Sequence, residues 1–165
     1  MRSRCEGTGE GKGRRVAKLS AEDLEIISSF EIYKGGERID YDLEIWDPVA
    51  ISLVSGARLL TNKRPDLLKE CLLCRSPRDE IAELVLQLRS LLKQKSNRVL
   101  FEPSEPFFEL LVERSTTHGL KVEAWLDAGN AETGVYTWDA AGIRFHTNTA
   151  NLERFLREIE AEFRP

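Results

Sequence analysis

The C-terminal stretch carries the clearest pattern of apolar and polar positions in the chain. Leu152, Phe155, Leu156, Ile159 and Phe163 recur at i, i+3, i+4, i+7 and i+11, so they share one stripe of a helix, with Glu153, Arg154, Arg157, Glu158 and Glu160 facing outward. Just upstream, Gly142-Ile143-Arg144-Phe145-His146-Thr147 has period two. That sends Ile143 and Phe145 to one face of a strand and Arg144 and His146 to the other. Asn148 or Thr149 can cap the helix start with a side-chain oxygen. Strand, turn and helix are each specified locally, and the apolar stripe requires a surface to cover it.

The same reading extends along the chain. Leu24 to Tyr33 and Arg38 to Trp46 read as strands joined in a hairpin at Lys34-Gly35-Gly36-Glu37, where paired glycines permit positive φ. The second places Ile39, Tyr41, Leu43 and Ile45 on one face and Asp40, Asp42 and Glu44 on the other, the solvated side of a strand. Asp47-Pro48 should end it, because proline cannot donate to a ladder. Val49 to Leu60 reads as a strand interrupted by Gly56, and residues 61 to 76 as a connector with a helical turn or strand fragment around Leu67 to Cys74.

Ser76-Pro77-Arg78-Asp79 starts a helix, with Ser76 as N-cap and Pro77 where no amide bond is lost. Its stripe is Ile81, Leu84, Val85, Leu88, Leu91 and Leu92. Val99 to Phe101 reads as a short strand, and Phe107 to Arg114 with Leu120 to Asp127 as a second hairpin. Val135 to Trp138 and Gly142 to Thr147 complete the sheet. The expected fold is α+β: a mostly antiparallel meander of about six or seven strands, with amphipathic helices at about 77–95 and 150–163 packed on one face.

Composition changes this picture in two places. Residues 1–20 hold four glycines among charges and no apolar core of a signal peptide, so they are expected to be a disordered basic tail ahead of a globular domain over 21–165. That tail has six basic residues against two acidic, a net of +4, which leaves −8 on the body of a chain whose total is −4. An acidic body disfavours nucleic acid as a direct ligand and suits a basic protein partner. No apolar run is long enough to span a bilayer, and a reducing cytoplasm is the expected location for three cysteines that make no disulfide framework.

Candidate chemistry is sparse. Cys71-Leu72-Leu73-Cys74 has dithiol spacing, but the only histidines, His118 and His146, are far apart in sequence. A zinc site needs about four ligands, so the cysteines read as small buried apolar side chains. No cofactor, metal or catalytic motif is visible. The cluster Trp125, Asp127, Asn130, Tyr136, Trp138 and Asp139 gathers aromatics and acids around one loop, the composition of a protein recognition surface. Its competing reading is that Trp125 or Trp138 caps the core beneath the loop.

Phe107-Phe108-Glu109-Leu110, Lys121-Val122-Glu123-Ala124-Trp125-Leu126-Asp127, Gly142-Ile143-Arg144-Phe145-His146-Thr147 and Leu152-Glu153-Arg154-Phe155-Leu156, taken in that order, resemble the small bacterial WapI-like proteins, counted among the immunity proteins that neutralise secreted polymorphic toxins. The resemblance covers residues 80–163, extends loosely to 21–46, and is absent from the tail and from 47–76. It implies a cytoplasmic antitoxin that covers the active site or substrate groove of a cognate toxin, often a nuclease, and it brings no catalytic residue onto this chain. Two other classes stand beside that expectation. One is a small hydrolase or ligand-binding enzyme using His146 with Asp127 or Asp139; the other is a structural or oligomerising domain.

Overall fold

The computed structural model describes residues 16–22, 27–35, 39–41, 44–61, 72–74, 77–104, 107–127 and 139–164, with backbone alone at 39–41, 44–48, 72–74 and 77–78. The strands form two antiparallel sheets instead of one meander. In the first, β1 (Ala17–Ser20), β2 (Ser28–Lys34), β4 (Glu44–Ser55) and β3 (Ile39–Tyr41) lie in that order, and β5 (Arg58–Thr61) and β6 (Leu72–Cys74) also pair with β4. The second is a plain meander of β7 (Arg98–Phe101), β8 (Phe108–Arg114), β9 (Leu120–Asp127) and β10 (Ala140–Thr147). The α+β class stands; the single sheet is corrected, because β4 is long enough to take different partners along its length, a choice that local periodicity does not encode.

Several boundaries move for physical reasons. Residues 17–20, expected to belong to the tail, form β1 instead, which pairs with β2 at Ala17↔Ile32 through Ser20↔Ser29 and buries Ala17 and Leu19 completely. Lys34 pairs with Val49, so β2 neighbours β4 and not the following strand. The segment read as one strand over 38–46 doubles back, with Tyr41 opposite Glu44 and Ile39 opposite Trp46. Asp40 and Glu44 therefore lie on two paired strands and not along one. Pro48 does not end the strand: it sits inside β4, opposite Leu73 of β6 and one residue beyond the last pair with β2, Lys34↔Val49, where among the described residues β2 no longer pairs with β4. Gly56, at φ +59°, takes the first of two turn positions between Ser55 and Arg58, so 49–60 is a hairpin rather than an interrupted strand.

The helices fall where their stripes put them. Helix α1 (Pro77–Leu92) buries Ile81, Leu84, Val85, Leu88 and Leu91, with Asp79 and Glu80 in its first turn. It stops short of residue 95 because Gln94 adopts φ +58°, letting Lys95 N–H donate to Ser90 O (2.9 Å) and Gln94 N–H to Leu91 O (3.0 Å), a Schellman closure. Arg114 of β8 adds its guanidinium, donating to Leu91 O at 2.5 Å. Helix α2 (Thr149–Glu162) is capped by Asn148, whose side-chain oxygen accepts from Asn151 N–H at 2.8 Å, and it buries Leu152, Phe155, Leu156 and Ile159.

The two helices pack on each other, and each also meets the first sheet. Helix α2 packs on β1 and β2, while α1 packs on β7, β4 and α2. Phe30 of β2 ties these layers: its ring centroid is 5.9 Å from Phe108 of β8 and 5.9 Å from Phe155 of α2. One hydrophobic cluster therefore draws on both sheets and both helices. No helix among the described residues is long and apolar enough to cross a membrane.

Candidate protein-binding face

Alternation divides the second sheet into an inner and an outer face. Val112, Val122, Ala124 and Phe145 point inward and are buried. Outward stand Glu109, Leu111 and Glu113 of β8, Lys121, Glu123, Trp125 and Asp127 of β9, and Gly142, Arg144 and His146 of β10. Among the described residues, no helix packs on this outer side.

A charge ladder crosses that face. Lys121 Nζ lies 2.5 Å from Glu113 Oε1 and 3.2 Å from Glu123 Oε1, and Arg144 Nε lies 3.4 Å from Glu123 Oε1. The Lys121 hydrogen bond holds the Glu113 carboxyl below its ordinary pKa, and the same bond, with one to Glu123, raises that of Lys121. The ladder ends on an aromatic, because Arg144 Cζ stands 5.7 Å from the Trp125 ring centroid, within cation–π reach. Trp125 is half-buried and lies over Gly142, its cross-strand partner. The ring is thus fixed between a glycine backbone and a guanidinium while part of it stays open to solvent.

Of the six residues expected to form a recognition cluster, three can be placed. Trp125 and Asp127 end β9, Asp139 is exposed immediately before β10, and the register Asp127↔Ala140 brings these strand ends together. Asp127 is buried, with 7% exposure, and its N–H donates to Phe107 O at 3.0 Å. Asn130, Tyr136 and Trp138 lie outside the described residues, as do Ser76 and Cys71. Gly142, Arg144, Glu123 and Glu113 are not among the site residues that the sequence singles out; their signal is the strict alternation of β9 and β10 together with a glycine opposite a tryptophan.

The enzyme constellation is not assembled. His146 pairs with Lys121, six positions along β9 from Asp127, about 20 Å at strand rise. Asp139 lies at the Asp127 end. The two histidines, distant in sequence, meet instead: the His118 and His146 ring centroids are 4.8 Å apart, both exposed. No group of three or more His, Cys, Asp or Glu among the described residues could hold a metal ion.

A family model described as the Immunity protein WapI-like family matches residues 77–165, just over half of the chain, the part that builds α1, the second sheet and α2. No curated protein and no solved structure matches the chain.

Proposed function

The chain belongs to the WapI-like immunity protein family, and from that premise we propose that it is a non-enzymatic antitoxin of the bacterial cytoplasm that neutralises a polymorphic toxin by binding it. The observation that carries the reading is the outer face of the second sheet. Trp125 is held there by Gly142 and Arg144 at the end of a charge ladder, in the segment that the family model covers. A rigid aromatic beside satisfied charges is the arrangement that anchors protein interfaces at low entropic cost. Asp139 stands at the same end of the sheet, where Asp127 pairs with Ala140; Asn130, Tyr136 and Trp138 join the proposed partner contacts on their residue types alone, and the net charge of −8 outside residues 1–20 suits a basic toxin domain.

The test is coexpression with the secreted-toxin domains of the same genome, one at a time, scored by colony growth. One domain should be neutralised and should bind the purified chain. Trp125→Ala should weaken that binding by tenfold or more while leaving the melting transition near wild type. If no toxin domain is neutralised, the reading fails.

A further inference from the structure

The β7 edge of the second sheet lies against α1. Arg114 N–H donates to Asn97 O at 2.8 Å, and the β7–β8 register puts Val99 opposite Val112 and Phe101 opposite Leu110. Hydrogen-bonded pairs alternate along an antiparallel ladder, so Val99 and Phe101 face β8 with their N–H and C=O groups, and Arg98 and Leu100 turn theirs outward. Among the described residues no strand pairs with that outer edge. Beside it runs an open groove of about 400 Å³, lined among others by Asp79, Glu80 and Glu83 of α1 and by Leu100, Phe101 and Glu102. Glu80 is engaged by Ser104, whose N–H donates to it at 2.8 Å. No lysine or arginine among the described residues forms an ion pair with Asp79, Glu83 or Glu102. Leu100 is 50% exposed.

We infer that this edge and groove receive an extended segment of the partner protein, alternating cationic and apolar residues, which adds as a strand to β7. Backbone groups of Arg98 and Leu100 supply the ladder, the Leu100 side chain meets an apolar residue of the incoming strand, and the carboxylates of α1 and Glu102 meet its cations. The occupant follows from the charge: Asp79, Glu83 and Glu102 call for cations, which a basic partner's strand supplies, while a second copy pairing β7 on β7 is the competing occupant that light scattering detects. The inference rests on the protein-binding reading above and adds a second contact, on a different edge from Trp125.

The probe is a fluorescein-labelled decapeptide of alternating Lys and Val, titrated by anisotropy at low salt, with a Glu/Val peptide and a Lys/Val peptide N-methylated at alternate amides as controls. The unmodified Lys/Val peptide should bind, and both controls should fail. Leu100→Pro removes an outward donor that the β8 ladder does not use, and should weaken binding at least tenfold with the cooperative melt retained. Asp79→Lys with Glu83→Lys, which leaves the backbone edge intact, should weaken it to a similar degree. No binding at millimolar peptide, equal binding by all variants, or a dimer by light scattering that Leu100→Pro dissolves would overturn the proposal. Wild-type rescue from a toxin without peptide binding would overturn the β7 site alone and leave the immunity reading standing. Peptide binding without rescue from any toxin would do the reverse.

Discussion

The indole of Trp125 occupies the space in which a Cβ on Gly142 would stand: Cε3 and Cδ2 lie 2.5 and 2.7 Å from that position, and Ala124 O is closer still. The glycine is therefore required by the approach of β9 rather than by a turn. Gly142→Ala should cost about 1–3 kcal/mol, as overpacking does, and should shift the Trp125 fluorescence. The measurement is the urea midpoint of both single variants and of Gly142→Ala with Trp125→Ala. Because Ala124 O is backbone and cannot rotate away, removing the indole should restore only part of the loss. Full recovery would mean that the ring alone excludes the side chain.

Phe30 stands between Phe108 and Phe155, which makes it the contact through which the first sheet, the second sheet and α2 share a core. Phe30→Ala should destabilise by about 3–5 kcal/mol. Loss should reach both sheets together, so unfolding followed by far-UV circular dichroism and by tryptophan fluorescence should move to the same lower midpoint. Separation of the two curves would show that the sheets fold as independent units.

How much of this was legible follows from the range of each interaction. The stripes of α1 and α2, the Asn148 cap and the hairpins of the second sheet are written in residues a few positions apart, and they lie at or near their expected bounds. Strand partners in the first sheet depend on which of several apolar strands reaches β4, a tertiary choice, and there the expected 34–37 hairpin gave way. The role of Ala17 and Leu19 was hidden for a related reason: a four-residue strand among charges acquires its meaning only once β2 and α2 cover it. In the candidate site, composition groups Trp125 and Asp139 around one loop, and the register Asp127↔Ala140 brings their strand ends together. Arg144 came to the ring only through the β9–β10 register, as did the His118–His146 contact.

The Gln94 backbone at φ +58° is a left-handed residue with a Cβ, closing α1 where glycine is usual. Gln94→Gly should therefore stabilise by about 0.5–1 kcal/mol, the relief of the Cβ clash less the greater entropy of an unfolded glycine. Arg114→Met keeps the aliphatic stem and removes the donor to Leu91 O, and should cost about 1–2 kcal/mol. Denaturant midpoints at constant m-value check both, and a destabilised Gln94→Gly would refute the strain argument.

Glu113 and Lys121 give the outer face a pH dependence whose sign is fixed. The Lys121 hydrogen bond depresses the carboxyl pKa of Glu113, so its contribution is present above the unfolded carboxylate value of about 4.3 and is lost as pH falls through the lower folded value. The raised pKa of Lys121 works in the other direction: its contribution is complete below about 10.4 and fades as pH rises through the folded value. Glu113→Gln should therefore lower the urea midpoint slightly and evenly between about pH 6 and 9. The gap to wild type should close below about pH 4 and again above about pH 10.5. Because both side chains are partly open to solvent, the gap should also shrink in 1 M salt, where the screening length falls to about 3 Å. A gap unchanged by pH and salt would show that the Glu113→Gln substitution disturbs packing on this face and that the ion pair contributes nothing measurable.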